Sequence, residues 1–322
     1  MRDGRFAISV DLGGTNLRVA GINEDGKLLE LLTLPTVAQQ GQEDVIQRMC
    51  SGILNLLDHW GKSHYLAGIS LGLPGILNLK KGIWVESPNL PGWGNCPIRD
   101  LVFDRLRQPF RLENDANLAA LGEKWLGCGR DERDLIFITQ GTGVGGGIIL
   151  RGQIWHGTEG MAAELGHINI YPDGRLCKCG NTGCLEEYAS ASAVVKGAFE
   201  YLQSGQASSA LRRAAESGTS LTAALIYQLA RDGDPSSMAV FRQMGIALGI
   251  AIASFINILD IRLFVLGGGA VDAWDAFQAS MFEEVARRSY VYRNDPRRIE
   301  KSRLGNQAGI FGGAYLAFQH CD

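Results

Sequence analysis

The chain has no surplus of positive charge: 31 Lys and Arg stand against 34 Asp and Glu, a formal net charge of −3 over 322 residues. Generic binding to nucleic acid or to an anionic membrane surface is thereby disfavoured, because nothing attracts phosphates non-specifically. A local basic run over 290–303 reads as a solvated face and loop. The sequence also lacks an uncharged apolar run of the roughly 18 residues needed to span a bilayer. Its nearest approach, MGIALGIAIASFINILDI (244–261), carries Asn257, Asp260 and two glycines, and reads as a buried core helix. No targeting segment precedes the first strand-like run. Seven cysteines are an odd number, and Cys50, Cys96, Cys128 and Cys321 are scattered. Paired disulfides explain that poorly, so a cytoplasmic, reducing location is expected. Neither a Walker A motif nor a convincing dinucleotide fingerprint occurs.

What the chain has is glycine, 42 of 322 residues, about 13% against a usual ~7%. The glycines gather at 13–14, 72–75, 141–147, 267–269 and 309–313, mostly after apolar runs. That placement suggests turns where backbone must approach a ligand closely. The length suggests two lobes. FAISVDLGGT opens with a strand, and the runs on either side of NEDG form a hairpin. Apolar residues at 45, 46, 49, 53, 56 and 57 give helical period over 43–60. A strand is expected over 66–75, a helix near 98–107, and a strand-to-helix handover at Asn114-Asp115. Strand, glycine turn and strand follow over 134–150, helices dominate 185–258, and a strand with a glycine turn covers 262–271. Helices to about 289 and over 308–319 complete an α/β alternation. Two similar units of strand and glycine turn suggest two lobes facing a cleft.

DLGGTN (11–16) offers an aspartate, two conformationally free glycines and a hydroxyl, and successive N–H groups in such a turn can surround a phosphate. Asp11 would then hold Mg²⁺, mostly through water. Taken singly the turn is better explained as a plain hairpin. TQGTGVGGG (139–147) and LGGGA (266–270) are further candidates, and three such turns are harder to dismiss than one. ENDAN (113–117) sets Asp115 at a helix N-terminus, which favours an ionised carboxylate. Such a group can take the proton of an alcohol during phosphoryl transfer. The commoner reading is that Asn114 or Asp115 only caps the helix. Asn89, Asn114 and Asn117 suit a hydroxyl-rich ligand better than a core.

These motifs coincide with one family. DLGGTNLR (11–18), GLPG (72–75), SPNLPGW (87–93), ENDANLAALGE (113–123), TQGTGVGGGII (139–149), EGMAAELGH (159–167), CKCGNTGCLE (177–186) and VLGGGA (265–270) resemble the ROK proteins of the actin-like ATPase superfamily. The resemblance implies an α/β, two-lobed, actin-like ATPase (ribonuclease H-like) fold with a nucleotide and sugar cleft between the lobes. Residues 1–115 plus a C-terminal helix over 308–322 would form the small lobe. Residues 116–307 would form the large one, with a metal loop and the interface of a homodimer or homotetramer. It further implies that Asp115 is the catalytic base. Asn89, Asn114, Glu164, His167 and Glu186 would bind the sugar along with Asp115. Gly13, Gly14, Thr15, Asn16, Thr142 and Gly143 would line the phosphate turns, Gly268 the adenosine turn, and Asp11 would lie near Mg²⁺.

Repressors of this family carry a helix-turn-helix before the first phosphate turn. Here that turn begins at residue 11, so the resemblance favours a kinase over a DNA-binding or purely sugar-sensing protein. SPNLPGW and ELGHI look most like the glucokinase branch, which implies transfer from ATP to the 6-hydroxyl of glucose. N-Acetylmannosamine, N-acetylglucosamine, fructose and allose kinases share nearly the same polar set, and polyphosphate is an alternative donor.

His167, Cys177, Cys179 and Cys184 fall within GHINIYPDGRLCKCGNTGC (166–184). A Cys₃His set makes a closed tetrahedral zinc shell with no open position, so a structural rather than catalytic metal is expected. If one nitrogen of His167 bound zinc, the other would be free to face the sugar. Glu164 and Glu186 lie close in sequence to the same knot, so the metal would act by positioning sugar contacts.

Overall fold

A computed structural model describes residues 4–87, 93–218 and 220–319. In chain order the strands and helices are β1 (Arg5–Leu12), β2 (Asn16–Asn23), β3 (Leu28–Pro35), α1 (Gln42–Trp60), β4 (Tyr65–Leu73), β5 (Ile76–Asn78), β6 (Ile83–Glu86) and β7 (Gly94–Cys96). Next come α2 (Ile98–Leu106), β8 (Arg111–Asn114), α3 (Asp115–Trp125), β9 (Leu135–Gln140), β10 (Val144–Leu150) and β11 (Gln153–Ile154). Helices α4 (Glu186–Ala189), α5 (Ala191–Gln203), α6 (Ser209–Glu216), α7 (Ala223–Arg231) and α8 (Pro235–Leu259) follow. The chain closes with β12 (Leu263–Gly267), α9 (Trp274–Arg288), α10 (Tyr290–Asn294), β13 (Arg298–Lys301) and α11 (Ala308–Phe318). It divides into two compact units. One comprises Met1–Phe137, Gly147–Ala163 and Ser302–Asp322, the other Ile138–Gly146 and Glu164–Lys301.

The first unit is built on a five-stranded sheet of order β3-β2-β1-β4-β8. β1, β2 and β3 form an antiparallel meander, while β1–β4 and β4–β8 are parallel. β1 is buried from Phe6 to Leu12, as expected of a strand covered on both faces, and its sequence is accordingly a run rather than an alternation. One face is covered by α1, whose Val45, Ile46, Met49, Ile53 and Leu56 join Val10, Val19 and Leu71 in one core. On the other face Ala7, Ala20 and Ile22 meet Ile310, Phe311 and Ala314 of α11. That contact needs small residues. A Cβ on Gly313 would stand 2.5 Å from the buried Ser70 Oγ, and one on Gly312 would overlap the Leu118 carbonyl of α3. Helix α11 therefore lies almost backbone to backbone on its neighbours.

The second unit is largely helical and is organised around α8. Asp234 caps α8 by accepting the Ser237 N–H at 2.8 Å, and Pro235 opens it, a favourable first-turn combination. Met244, Ala247, Leu248, Ala251 and Ile252 are buried. Gly249 lets α9 come close, since a Cβ there would lie 2.7 Å from the Met281 carbonyl. This helix is long and apolar enough to cross a membrane, yet 72% of its most apolar window is buried inside the protein. It is the core helix expected.

A second sheet runs β11-β10-β9-β12-β13, with β12 and β13 parallel. β13 and α10 correct one expectation, for the basic run over 290–303 is not simply a solvated loop. Ile299 is buried, and Arg297 is 8% exposed with its guanidinium on Asp260 Oδ1 and Asp295 Oδ2, both at 2.5 Å. Pairing to the buried β12 creates that strand, and a short charged segment with one isoleucine carries no periodicity to announce it.

Candidate active site

In the first unit the register of the parallel strands decides what meets. Asp11 of β1 pairs with Gly72 of β4, and Gly72 with Glu113 of β8. The first glycine turn and the Asn114-Asp115 junction therefore emerge from the same carboxyl-terminal edge of one sheet, the edge where open α/β sheets bind ligands. The turn is fastened from below. Gly13 N–H donates to Asn16 O at 2.8 Å, Thr36 N–H to Thr15 O at 2.8 Å, and the buried Thr36 hydroxyl to Gly13 O at 2.6 Å. Gly14, Thr15 and Asn16 are left exposed at the tip. Thr36 has no motif of its own, and its part was invisible in the sequence.

Asp11 is 9% exposed and ion-paired to Arg18, which also donates to Asn306 O. Burial pushes its carboxyl above the usual range, with Arg18 opposing. Gly309, in the first turn of α11, lies against this carboxylate; a Cβ there would be 3.2 Å from Asp11 Oδ2.

Asn114 is the cap of α3. Its Oδ1 accepts the N–H groups of Ala116 at 2.9 Å and Asn117 at 3.2 Å, and its Nδ2 donates to Gly75 O at 3.2 Å. Asp115 is the first residue of α3, half-buried, with Oδ1 accepting the Ala116 N–H at 2.8 Å. The cap and the candidate base are thus neighbours in one turn rather than competing readings. Asn117, expected to suit a ligand, is instead 5% exposed and donates from Nδ2 to Glu113 Oε1 at 2.9 Å. Asn89 lies outside the described residues.

Glu113 was not singled out in the sequence. It is 2% exposed, and its Oε1 also accepts the Asn114 N–H at 2.9 Å. Its Oε2 meets His156 Nε2 at 2.7 Å, and that hydrogen bond raises the imidazole's pKa against the lowering effect of burial. The signal available was the ENDAN motif itself, where Glu113 is a third polar residue directly before Asn114 and Asp115.

In the second unit the other two glycine turns come together. Gly268 has φ +82, and a Cβ on it would stand 2.6 Å from the Gln140 carbonyl carbon. The turn after β12 is therefore seated on the end of β9, and glycine is required there. Gly141 N–H donates to Gly143 O at 2.9 Å, and Thr142 is exposed at the tip. Glu186 joins this turn, with Oε2 accepting the Val144 N–H at 2.9 Å.

Glu164 is preceded by Ala163 at φ +70, an unusual conformation for a residue with a side chain. Gly166 allows the Leu165–His167 turn to lie against the Val144 carbonyl. Glu164 keeps more than a third of its surface open, yet crowding by protein atoms pushes its carboxyl above the usual range. His167 opposes that rise and Glu186 adds to it, so the three expected sugar contacts of this unit lie within electrostatic reach.

The four expected metal ligands also converge. The donor atoms of His167, Cys177, Cys179 and Cys184 all lie within 4.8 Å of one another. Cys177 Sγ stands 3.7 Å from His167 Nδ1, and Cys179 Sγ 3.7 Å from Cys184 Sγ. A tetrahedron with Zn–S of ~2.3 Å and Zn–N of ~2.05 Å has edges of about 3.8 and 3.6 Å, so the donor set fits that ion. The loop that does this is tightly folded. Cys177 N–H donates to Asn181 O, Gly183 N–H to Arg175 O, and a Cβ on Gly183 (φ +68) would overlap the Tyr171 carbonyl.

Glycine turns at strand ends in both units belong to the actin-like ATPase fold, and the chain has that fold. Within it, the chain belongs to the ROK family, whose pattern matches residues 7–320. A glucokinase of Thermotoga maritima is 36% identical over 314 residues, covering 96% of both chains. Among solved structures, a ROK family glucokinase from Streptomyces griseus in complex with glucose and AMPPNP superposes with TM-score 0.78 at 30% identity, covering 98% of this chain and 99% of that one. A ROK family transcriptional regulator, a homologue of the E. coli MLC protein, superposes with TM-score 0.86 at 28% identity over 99% of this chain and 78% of its own.

Proposed function

We propose that the chain is an ATP-dependent hexose kinase that transfers the γ-phosphoryl group to the 6-hydroxyl of glucose. The observation that supports this most is the shared sheet edge, from which Asp115 and the first glycine turn both emerge. A base and a phosphate cradle on one rigid edge are what transfer to an alcohol requires.

In this reading Asp115 accepts the proton of the attacking hydroxyl. Asn89, Asn114, Glu164, His167 and Glu186 hydrogen-bond the remaining hydroxyls. The turns at 13–16, 142–143 and 268 hold the nucleotide. Asp11, whose carboxylate is paired with Arg18, would be the residue to hold the Mg²⁺ brought with ATP, which would neutralise charge on the phosphates. His167 through Nδ1, with Cys177, Cys179 and Cys184, would hold zinc, which would supply rigidity and no chemistry because three thiolates and an imidazole would fill its shell. Nε2 of His167 would then be available to the sugar, with the ring held in orientation through Nδ1. Glucose as acceptor is supported by the glucokinase relatives. A non-catalytic regulator would not need both a base and three phosphate turns.

A coupled ADP-release screen over hexoses and N-acetylhexosamines tests the proposal. Glucose is expected to be the preferred acceptor. Turnover of N-acetylated sugars alone would move the chain to an N-acetylhexosamine kinase, and no turnover of any sugar would favour the regulator.

A further inference from the structure

We propose that Glu113 and His156 are positioning residues that hold the Asp115 junction in register from behind. Glu113 is a carboxylate at 2% exposure, and a buried charge is tolerated only when its oxygens are fully engaged. Each oxygen does a separate task. Oε1 takes the Asn114 N–H and the Asn117 amide, both at 2.9 Å, and so grips the junction on either side of Asp115. Oε2 faces His156 Nε2 at 2.7 Å. His156 belongs to the segment that follows β11, and its side chain is 38% exposed. With Ile69, Phe110, Gln153 and Leu316 it lines a cavity in the first unit whose wall includes Glu113 itself.

The physical consequence is a lever. Without a donor on Oε2 the carboxylate is free to rotate about its last torsion, and the two hydrogen bonds on Oε1 loosen with it. The peptide between residues 113 and 114 then gains freedom, and Asp115 follows one residue later. A shift of about 1 Å in a reacting group can cost up to about 100-fold in rate. Neither residue touches the reacting atoms, and the Asn114 side chain keeps its own hydrogen bonds to the Ala116 and Asn117 N–H groups and to Gly75 O, so the effect falls on the orientation of the base more than on sugar affinity.

The inference rests on the hexose kinase reading, and the tests separate the two. His156→Leu removes the donor while keeping bulk at a half-exposed site, and His156→Gln returns an N–H to Glu113. The expected result is a fall in kcat of about tenfold for His156→Leu with glucose KM within threefold of wild type, and recovery of most of that loss in His156→Gln. A second measurement is the double variant Glu113→Gln with His156→Leu, expected to be no slower than the slower of its parents because the pair acts as one unit. Thermal unfolding of each variant identifies loss of folded protein, and kcat is expressed per folded molecule. Wild-type kcat in His156→Leu, equal impairment of the Leu and Gln variants, or multiplicative losses in the double variant would each overturn the proposal. An inactive wild-type protein would instead overturn the kinase reading itself, and an Asp115→Asn variant at wild-type rate would remove the base that the pair is said to position.

Discussion

Replacing Asp115 by Asn separates catalysis from folding because the junction needs the residue's oxygen and the reaction needs its charge. In the fold, Asp115 Oδ1 accepts the Ala116 N–H at 2.8 Å, an acceptor that an asparagine amide oxygen reproduces. The cap proper is Asn114, which takes the Ala116 and Asn117 N–H groups and is untouched by the change. What the fold loses is one negative charge in the first turn of α3, worth about 0.3–1 kcal/mol. For units of this size that is a Tm shift of roughly 1–4 °C. In the proposed mechanism the reaction loses its general base, worth about 10²–10⁴-fold in rate, or ~3–5 kcal/mol of barrier. The expected outcome is a folded protein that still binds glucose by calorimetry and has kcat down at least about 100-fold in the coupled ADP assay. A folded Asp115→Asn protein with kcat within threefold of wild type would remove Asp115 from the role of base.

Four further outcomes follow from other parts of the molecule. Chelation, or Cys179→Ser, is expected to raise the sugar KM and lower Tm together, since Glu164, His167 and Glu186 flank the knot; unchanged kinetics in protein shown to be metal-free would refute the coupling. Ala163 holds φ +70, so Ala163→Gly is expected to stabilise by up to about 1 kcal/mol after glycine's extra unfolded-state freedom is set against the relieved strain; a lowered Tm would count against it. Gly312→Ala forces a methyl into the Leu118 carbonyl and is expected to cost about 3 kcal/mol or more in chemical denaturation, a loss under ~0.5 kcal/mol being the contrary result.

Asp234→Ala removes the cap of α8, at a cost of about 1 kcal/mol near neutral pH. Burial tends to raise the Asp234 pKa, but the Ser208 hydroxyl and the Ser237 N–H outweigh it and hold the carboxyl below 3.8. Its stabilisation is therefore present above that value and lost as pH falls through the lower folded pKa. The difference between wild type and variant should shrink below pH 3.8, and a constant difference would be the refuting observation.

Much of the fold was legible before any coordinates, because its signals are local. Apolar runs ending in glycine gave the strands and their turns, the helical period gave α1, and the spacing of His167 and the cysteines marked the four side chains whose donor atoms the fold brings together. Asn114 and Asp115 stood out because a strand-to-helix junction is a short-range event. Glu113 and His156 did not, since 43 residues separate them and nothing in either segment points to the other. Asn117 read as a ligand residue because polarity is visible in sequence whereas burial is not. The strand at Arg298–Lys301 was missed because its pairing to β12, not its own composition, makes it a strand.

The sequence by itself determined most of the elements, the glycine turns and the chemical kinds of group available, all of which depend on backbone freedom and on residues a few positions apart. Tertiary structure alone decided which of those groups share an edge. The parallel register of β1, β4 and β8 brings Asp11 and Asp115 to one side of a sheet, and the packing of Gly268 on Gln140 brings two turns together. Register and close backbone approach are set by contacts between segments far apart in the chain, and no local pattern encodes them.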